Sequence, residues 1–379
     1  MHNPVPDLQL SRLPQVVKAY QNPDTKKAAL QILTSFGPFI AVWVLMYFSL
    51  AWSWWITLGL AVVNAFFLVR IFIIQHDCGH QSFTKYRRLN DALGFISSII
   101  SLIPYKYWAK SHNFHHGHNG KLWEYRDIGD VETLTIDEFQ AMSKGKRLGY
   151  RIYRSAPIMF GIIPIYYMFL HHRLPLIKLK GWEKVNRSLW LNNIWTVAFF
   201  AVLICLAGWK VTLLVHLPIL VVFGVIAIWF FYVQHQYEEA YKEWVEKWDY
   251  ITAAIKGSSY YKLPRLFHWL TGNIGYHHIH HLNPLVPNYN LAKCHKENPI
   301  FEQMATKITF LESLKCVFNH LWDEKERRMI SFKSVGKSGW GTGGGSGCFS
   351  ATATGCFFAS GLSSFTVFST ATGGVGMAD

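Results

Sequence analysis

Eight histidines fall in three short groups: His76 and His80 in H-D-C-G-H, His112, His115 and His116 in H-N-F-H-H, and His277, His280 and His281 in H-H-I-H-H. On a helix, residues i, i+3 and i+4 share a face. The first group is an i,i+4 pair and the others are i,i+3,i+4 triplets, so each can aim its imidazoles at one point. Neutral imidazole suits zinc, copper, iron and nickel. A single zinc site takes about four protein ligands, so eight histidines predict two metal ions. Isolated histidines such as His216 and His320 read as satisfied core or interface residues, and Cys78, inside the first group, as a small buried thiol.

The elements that must position these groups belong to a membrane protein. The 379 residues are 51% hydrophobic and only 16% charged, against roughly 25% charged in ordinary soluble domains. A spanning helix needs about 20 mostly apolar residues. Two candidates, Leu33 to Trp52 and Trp54 to Ile74, form one tight hairpin with Trp52, Trp54 and Trp55 at its turn, where interfacial aromatics belong. A second hairpin runs from Asn193 to Ala207 and from Val211 to Val233, turning at Gly208-Trp209-Lys210. Leu93 to Pro104 and Pro157 to Leu170 are too short to cross and read as interfacial or re-entrant. With only the two hairpins crossing, all three histidine groups lie on one side; a further lone crossing would split them across the bilayer.

Charge supports that arrangement. The net charge is +14, and Lys85, Arg87, Arg88, Lys106, Lys110, Arg147, Arg151, Arg154 and Arg173 all fall on the histidine side. By the positive-inside rule that side and both termini are cytoplasmic. The net positive charge would help dock an acidic protein partner, and the basic residues follow membrane-flanking loops rather than one patch, which argues against nucleic acid. The first 28 residues are polar and of mixed charge, unlike a cleavable signal peptide. The six cysteines are scattered without a C-x-x-C pair and read as reduced thiols. An amphipathic helix is expected from Glu302 to Arg328. The Gly-, Ser-, Thr- and Ala-rich tail from Gly336 onward has no helical or strand periodicity and reads as disordered.

Imidazole-rich coordination with few carboxylates fits redox iron or copper, or a hydrolytic zinc pair. A site against the bilayer suits a substrate that cannot leave it: an acyl chain, sterol, carotenoid or alkane. The hard chemistry on such molecules is attack on an unactivated C–H bond. That needs a high-potential oxidant, usually a metal with dioxygen, because side chains supply none.

H-x-x-x-H, H-x-x-H-H and H-x-x-H-H, in this order and separated by apolar hairpins, resemble the membrane fatty acid desaturase family. The run H-D-C-G-H-Q-S-F with Asn90 and Gly94, the stretch Pro104-Tyr105, Trp108 and His112, and Gly129-Asp130 with Thr133 resemble its acyl-lipid Δ12 (ω-6) members. So does G-N-I-G-Y-H-H-I-H-H-L-N-P with P-N-Y-N-L from Pro287. The resemblance covers about Leu33 to Arg328.

It implies an all-α integral membrane protein with four spans in two hairpins, interfacial helices and a cytosolic histidine-rich metal-binding domain. The divisions would be an N-terminal cytosolic segment 1–32, a desaturase domain 33–335 and the tail 336–379. It implies two non-haem iron ions held by the eight histidines and by His235, which follows the last span in F-Y-V-Q-H-Q. Some relatives hold a metal-bound water with an asparagine near that extra histidine; the position four before His235 is Phe231 here. Asp77, Asp127, Asp130 and His278 are candidate outer partners of the ligands, and His118 and His268 match no ligand slot.

The implied reaction uses O2 to remove two hydrogens from neighbouring methylenes of a lipid acyl chain, leaving a cis double bond and water. No H-P-G-G motif of a fused cytochrome b5 occurs, so ferredoxin or free cytochrome b5 would supply electrons. An acyl-chain or carotenoid hydroxylase on the same scaffold is the nearest alternative. A metal transporter would instead place histidines inside the spans, where only His216 lies well inside.

Overall fold

The computed structural model describes Leu10 and residues 12–335. Seven helices position the site: α1 (Thr25–Ser49), α2 (Trp54–Gly79), α3 (Arg87–Ser101), α4 (Tyr105–His118), α5 (Glu183–Ala207), α6 (Trp209–His235) and α7 (His277–Leu282). Of these, α1, α2, α5 and α6 are long and apolar enough to cross a membrane. They carry exposed Leu33, Phe48, Trp195, Val197 and Leu206. Bulky apolar side chains on an outer helix face are costly in water and at home in lipid. The two expected hairpins are therefore present.

The helices run further than their apolar stretches. α1 begins at Thr25 rather than Leu33, because Asp24 caps it by accepting from the Lys26 and Lys27 amides at 2.9 and 3.1 Å. α5 begins at Glu183 rather than Asn193, which makes it 25 residues long. α2 and α6 overrun to Gly79 and His235. Hydropathy marks where lipid ends, whereas backbone hydrogen bonding continues into the polar turns beyond. These overruns matter because they carry His76 and His235 out of the apolar bundle.

The first hairpin turns at Ala51–Ser53, where Ser53 caps α2 and Ser49 Oγ lies 2.7 Å from Thr57 Oγ1 across the turn. The second turns at Gly208. Inside the bundle, Met46, Ala61, Ala65, Leu68 and Ile71 pack with Val215, Ile219, Leu220 and Phe223.

The two short apolar stretches form no helix long enough to cross. One is α3, which packs along α2 and ends at Leu102 in the left-handed conformation (φ 57°). Ring edges of Tyr105 would meet a Cβ at Gly94 at 2.3 Å, so this helix approaches α4 closely only because that residue is glycine. The other stretch is a π-helical turn, Pro157–Ile162, continuing as helix Ile163–Phe169 and a 3-10 turn, His171–Arg173.

A long helix from Glu302 to Arg328 does not form. Short helices Pro299–Met304 and Phe310–Cys316 flank a strand, Lys307–Thr309, that pairs in parallel with Tyr260–Lys262. Thr309 and Glu312 build a capping box that starts the second helix afresh. Leu321–Asp323 and Arg328–Ile330 then form an antiparallel pair, and Leu134–Thr135 adds to it in parallel. The spacing over this stretch is amphipathic, but strand pairing with a distant segment of the chain and the cap divide it. The tail 336–379, with Cys348 and Cys356, lies outside the described residues. The other four cysteines, Cys78, Cys205, Cys294 and Cys316, are free thiols.

Candidate metal centre

The ends of α2 and α6 converge with α4 and α7 on one buried cluster. Nine histidines meet there: His76, His80, His112, His115, His116, His235, His277, His280 and His281, each less than a tenth exposed. Donor nitrogens of His76, His80, His112, His116 and His280 lie within 4.8 Å of one another, and so do those of His115, His235 and His281. His277 joins the second set, its Nε2 2.9 Å from His235 Nε2 and 3.1 Å from His281 Nε2.

These spacings suit metal ions. His112 Nε2 lies 3.0 Å from His76 Nε2 and 3.1 Å from His116 Nε2, and His115 Nε2 lies 3.2 Å from His235 Nε2. Two nitrogens each about 2.1 Å from an ion and at right angles are separated by about 3 Å. A chain of hydrogen bonds accounts for the same contacts poorly. The Nε2 atoms of His80 and His280 are buried without any hydrogen-bond partner, a cost of roughly 1–3 kcal/mol each if nothing else meets them. Burial, reinforced by neighbouring imidazoles, pushes the pKa of His80, His112, His116, His277, His280 and His281 well below the ordinary histidine value. The neutral ring is the form that binds metal.

The opposite ring edges are held as well. His76 Nδ1 lies 2.9 Å from Asp77 Oδ1, and Asp77 Oδ2 accepts from the Asn288 backbone at 2.7 Å and its side chain at 2.8 Å. His235 Nδ1 meets the Gly257 carbonyl at 3.0 Å. Asp130 Oδ2 lies 3.3 Å from His115 Nδ1, close to the ring but not aligned as a hydrogen bond. Burial alone would raise the Asp130 carboxyl, but His115 beside it holds the pKa below the usual carboxylate range. Gly129 (φ 74°) brings Asp130 this close: a Cβ there would meet the Ser111 carbonyl at 2.7 Å and His115 Cβ at 3.2 Å. Such contacts fix the ring's tautomer and direction.

Other expected positions lie elsewhere. Asp127 is exposed and makes no contact with the cluster among the described residues. His278 points the other way, its ring 5.5 Å from His295 and 5.9 Å from Phe301. His118 stacks on Phe114 and Trp123, and His268 on Tyr276. His216 sits in the bundle between Phe39 and Phe200, and His320 stacks on Phe332. Phe231 lies 5.2 Å from both His115 and His235, so an apolar ring covers that side of the cluster. Buried Cys78 packs with Ile74, Phe83 and Tyr105.

Two contacts escaped the sequence reading. Asn288 lies in the P-N-Y-N-L run, a usable signal. The Gly257 carbonyl had no signal, since any residue offers a backbone oxygen. Trp108, stacked on His112 at 4.5 Å, starts a line of rings through Phe72 to Phe223 into the bundle. On the other side of His80, a surface recess of about 500 Å³ is lined by Arg87, Lys106 and Lys110.

Four membrane-length helices with a buried polyhistidine cluster at one end define a membrane protein with a metal-compatible site. Comparison with known proteins then names the family. The chain matches the fatty acid desaturase family model over residues 52–310. It is 44% identical over 324 residues to a fatty acid desaturase of Bacillus subtilis (strain 168), covering 86% of this chain and 91% of that one. It is 29% identical over 304 residues to the sn-1 oleoyl-lipid 12-desaturase of a Synechocystis species, covering 78% and 83%. It is also 28% identical over 235 residues to a Nostoc sn-1 acyl-lipid omega-3 desaturase (ferredoxin), covering 59% and 62%. The chain belongs to the fatty acid desaturase family and is an oxidoreductase.

Proposed function

We propose that this protein is a di-iron desaturase of lipid-linked acyl chains that inserts a cis double bond at the Δ12 (ω-6) position. The convergence of nine buried histidines into a five-nitrogen and a four-nitrogen set carries the reading. His76, His80, His112, His116 and His280 would hold one iron ion, and His115, His235, His277 and His281 the other. Iron there, with O2 as co-substrate, would supply the oxidising power that side chains lack. In the balanced reaction, two methylene hydrogens, two electrons, two protons and one O2 give the double bond and two waters.

The chain's own residues orient and exclude. Asp77, Asp130 and the Gly257 carbonyl direct the rings of His76, His115 and His235. Trp108 and Phe231 cover the cluster with apolar surface that keeps water away. The Δ12 position and glycerolipid carrier are supported by the name of the Synechocystis relative. Ferredoxin, named for the Nostoc relative, or free cytochrome b5 would donate electrons. Arg87, Lys106 and Lys110 beside His80 suit an acidic donor. Basic loops favour a cytoplasmic histidine side, with both ends of the chain on that side.

The test is expression in a host that lacks polyunsaturated fatty acids but has a working electron donor, beside a His112→Ala control. Dienoic acid should appear only with the intact protein, and the purified protein should hold about two iron ions. An unchanged lipid profile, with the protein present in the membrane, would sink the reading.

A further inference from the structure

A groove of about 420 Å³ runs between α5 and α6, and none of the nine clustered histidines lines it. On α6 its wall includes Trp209, Leu213, Leu217 and Leu220, and on α5 Phe200 and Ile204. The α6 residues form a single helical stripe. At 1.5 Å per residue that stripe is about 16 Å long, the scale of an extended acyl chain. Most of the lining is apolar, with Thr196, Thr212 and His216 the polar residues along it.

One end is different in kind, because Arg173 closes it. Arg173 Nε donates to the Met168 carbonyl at 3.2 Å, and its Nη atoms donate to Asn192, Asn193 and the Leu102 carbonyl. Every one of these acceptors is neutral. No carboxylate among the described residues lies within ion-pair distance of this guanidinium. Burial lowers its pKa to about 10, which leaves it charged at neutral pH. Asn192 and Asn193 lie about one turn before Thr196, another lining residue, so the cation sits at the histidine-side end of the groove. Trp209 marks the far end. A charge this close to hydrocarbon is costly without a counter-charge.

We propose that this groove is a second lipid site. It takes the acyl chain of an anionic amphiphile lengthwise between α5 and α6, with the anionic head against Arg173. The shape supplies the chain's place, and the uncompensated guanidinium supplies the preference for a negative head. The site is independent of the di-iron reading.

The experiment uses the full-length protein in nanodiscs of zwitterionic phosphatidylcholine, labelled with a photoreactive palmitate carrying a mid-chain diazirine. Label should map by mass spectrometry to α5 and α6 peptides that include Leu213 and Leu217. Arg173→Gln should cut that labelling about tenfold or more. Leu217→Trp, which fills the groove and leaves the Arg173 contacts alone, should do the same. Competition separates the sources of the negative head: preferential displacement by oleate indicates a free carboxylate, and by phosphatidylglycerol a lipid phosphate. Oleyl alcohol should compete at least about tenfold less well than the better anion. The proposal is overturned if oleyl alcohol competes equally, or if labelling is unchanged in Leu217→Trp.

Discussion

The two halves of the histidine cluster are assembled by different means. The five-nitrogen set comes from α2, α4 and α7, all carrying paired or tripled histidines, and a carboxylate braces it: Asp77 binds His76 on one side and Asn288 on the other. The four-nitrogen set depends on a lone residue, His235, delivered by the overrun of α6 and held by a backbone carbonyl. Its nearest carboxylate, Asp130, stands 3.3 Å from His115 and reaches it because residue 129 is glycine. The same ligand type is therefore positioned in one half by side chains that sequence reveals, and in the other by backbone and loop geometry.

Substitutions can break that contrast. The largest effect is expected for His112→Ala, because the His112 Nε2 lies between those of His76 and His116. Desaturated product should fall below detection and bound iron should drop from about two to about one, read by gas chromatography and elemental analysis. Retained activity would show that the five-nitrogen set is not a metal site. His235→Ala should come next, removing the iron of the other half while the protein stays folded. If elemental analysis still finds two iron ions, the single-residue dependence of that half is wrong.

Asp77→Asn preserves shape but removes the carboxylate charge that faces His76. A loss of roughly 10–100-fold in metal affinity is expected, the range typical of outer partners. Chelator competition measures it. Asp130→Asn should have the smallest effect, below about tenfold, because its contact is longer and poorly aligned. An Asp130 effect larger than that of Asp77 would reverse the comparison.

Much of the site was legible because helical spacing is local: i,i+3,i+4 histidines must share a face wherever the helix lies. The requirement that three such groups meet on one side also sorted the apolar stretches into four spans and two short helices. The segment after Glu302 departs from its helical spacing for a physical reason. Its spacing suited a helix, but pairing of Lys307–Thr309 with Tyr260–Lys262 links residues far apart in the chain, and no local pattern carries that. Asp127 and Asp130 show the same limit at small scale: three residues apart in one loop, only Asp130 reaches a histidine.

The sequence by itself determined the four apolar helices, the three histidine faces and their common side, since these follow from periodicity and transfer free energy. Tertiary structure alone decided how nine rings divide into sets of five and four. It also decided which carboxylate braces which ring, and that Arg173 closes an apolar groove without a counter-charge. Those outcomes depend on distances between separate helices, and such distances are set when the helices pack.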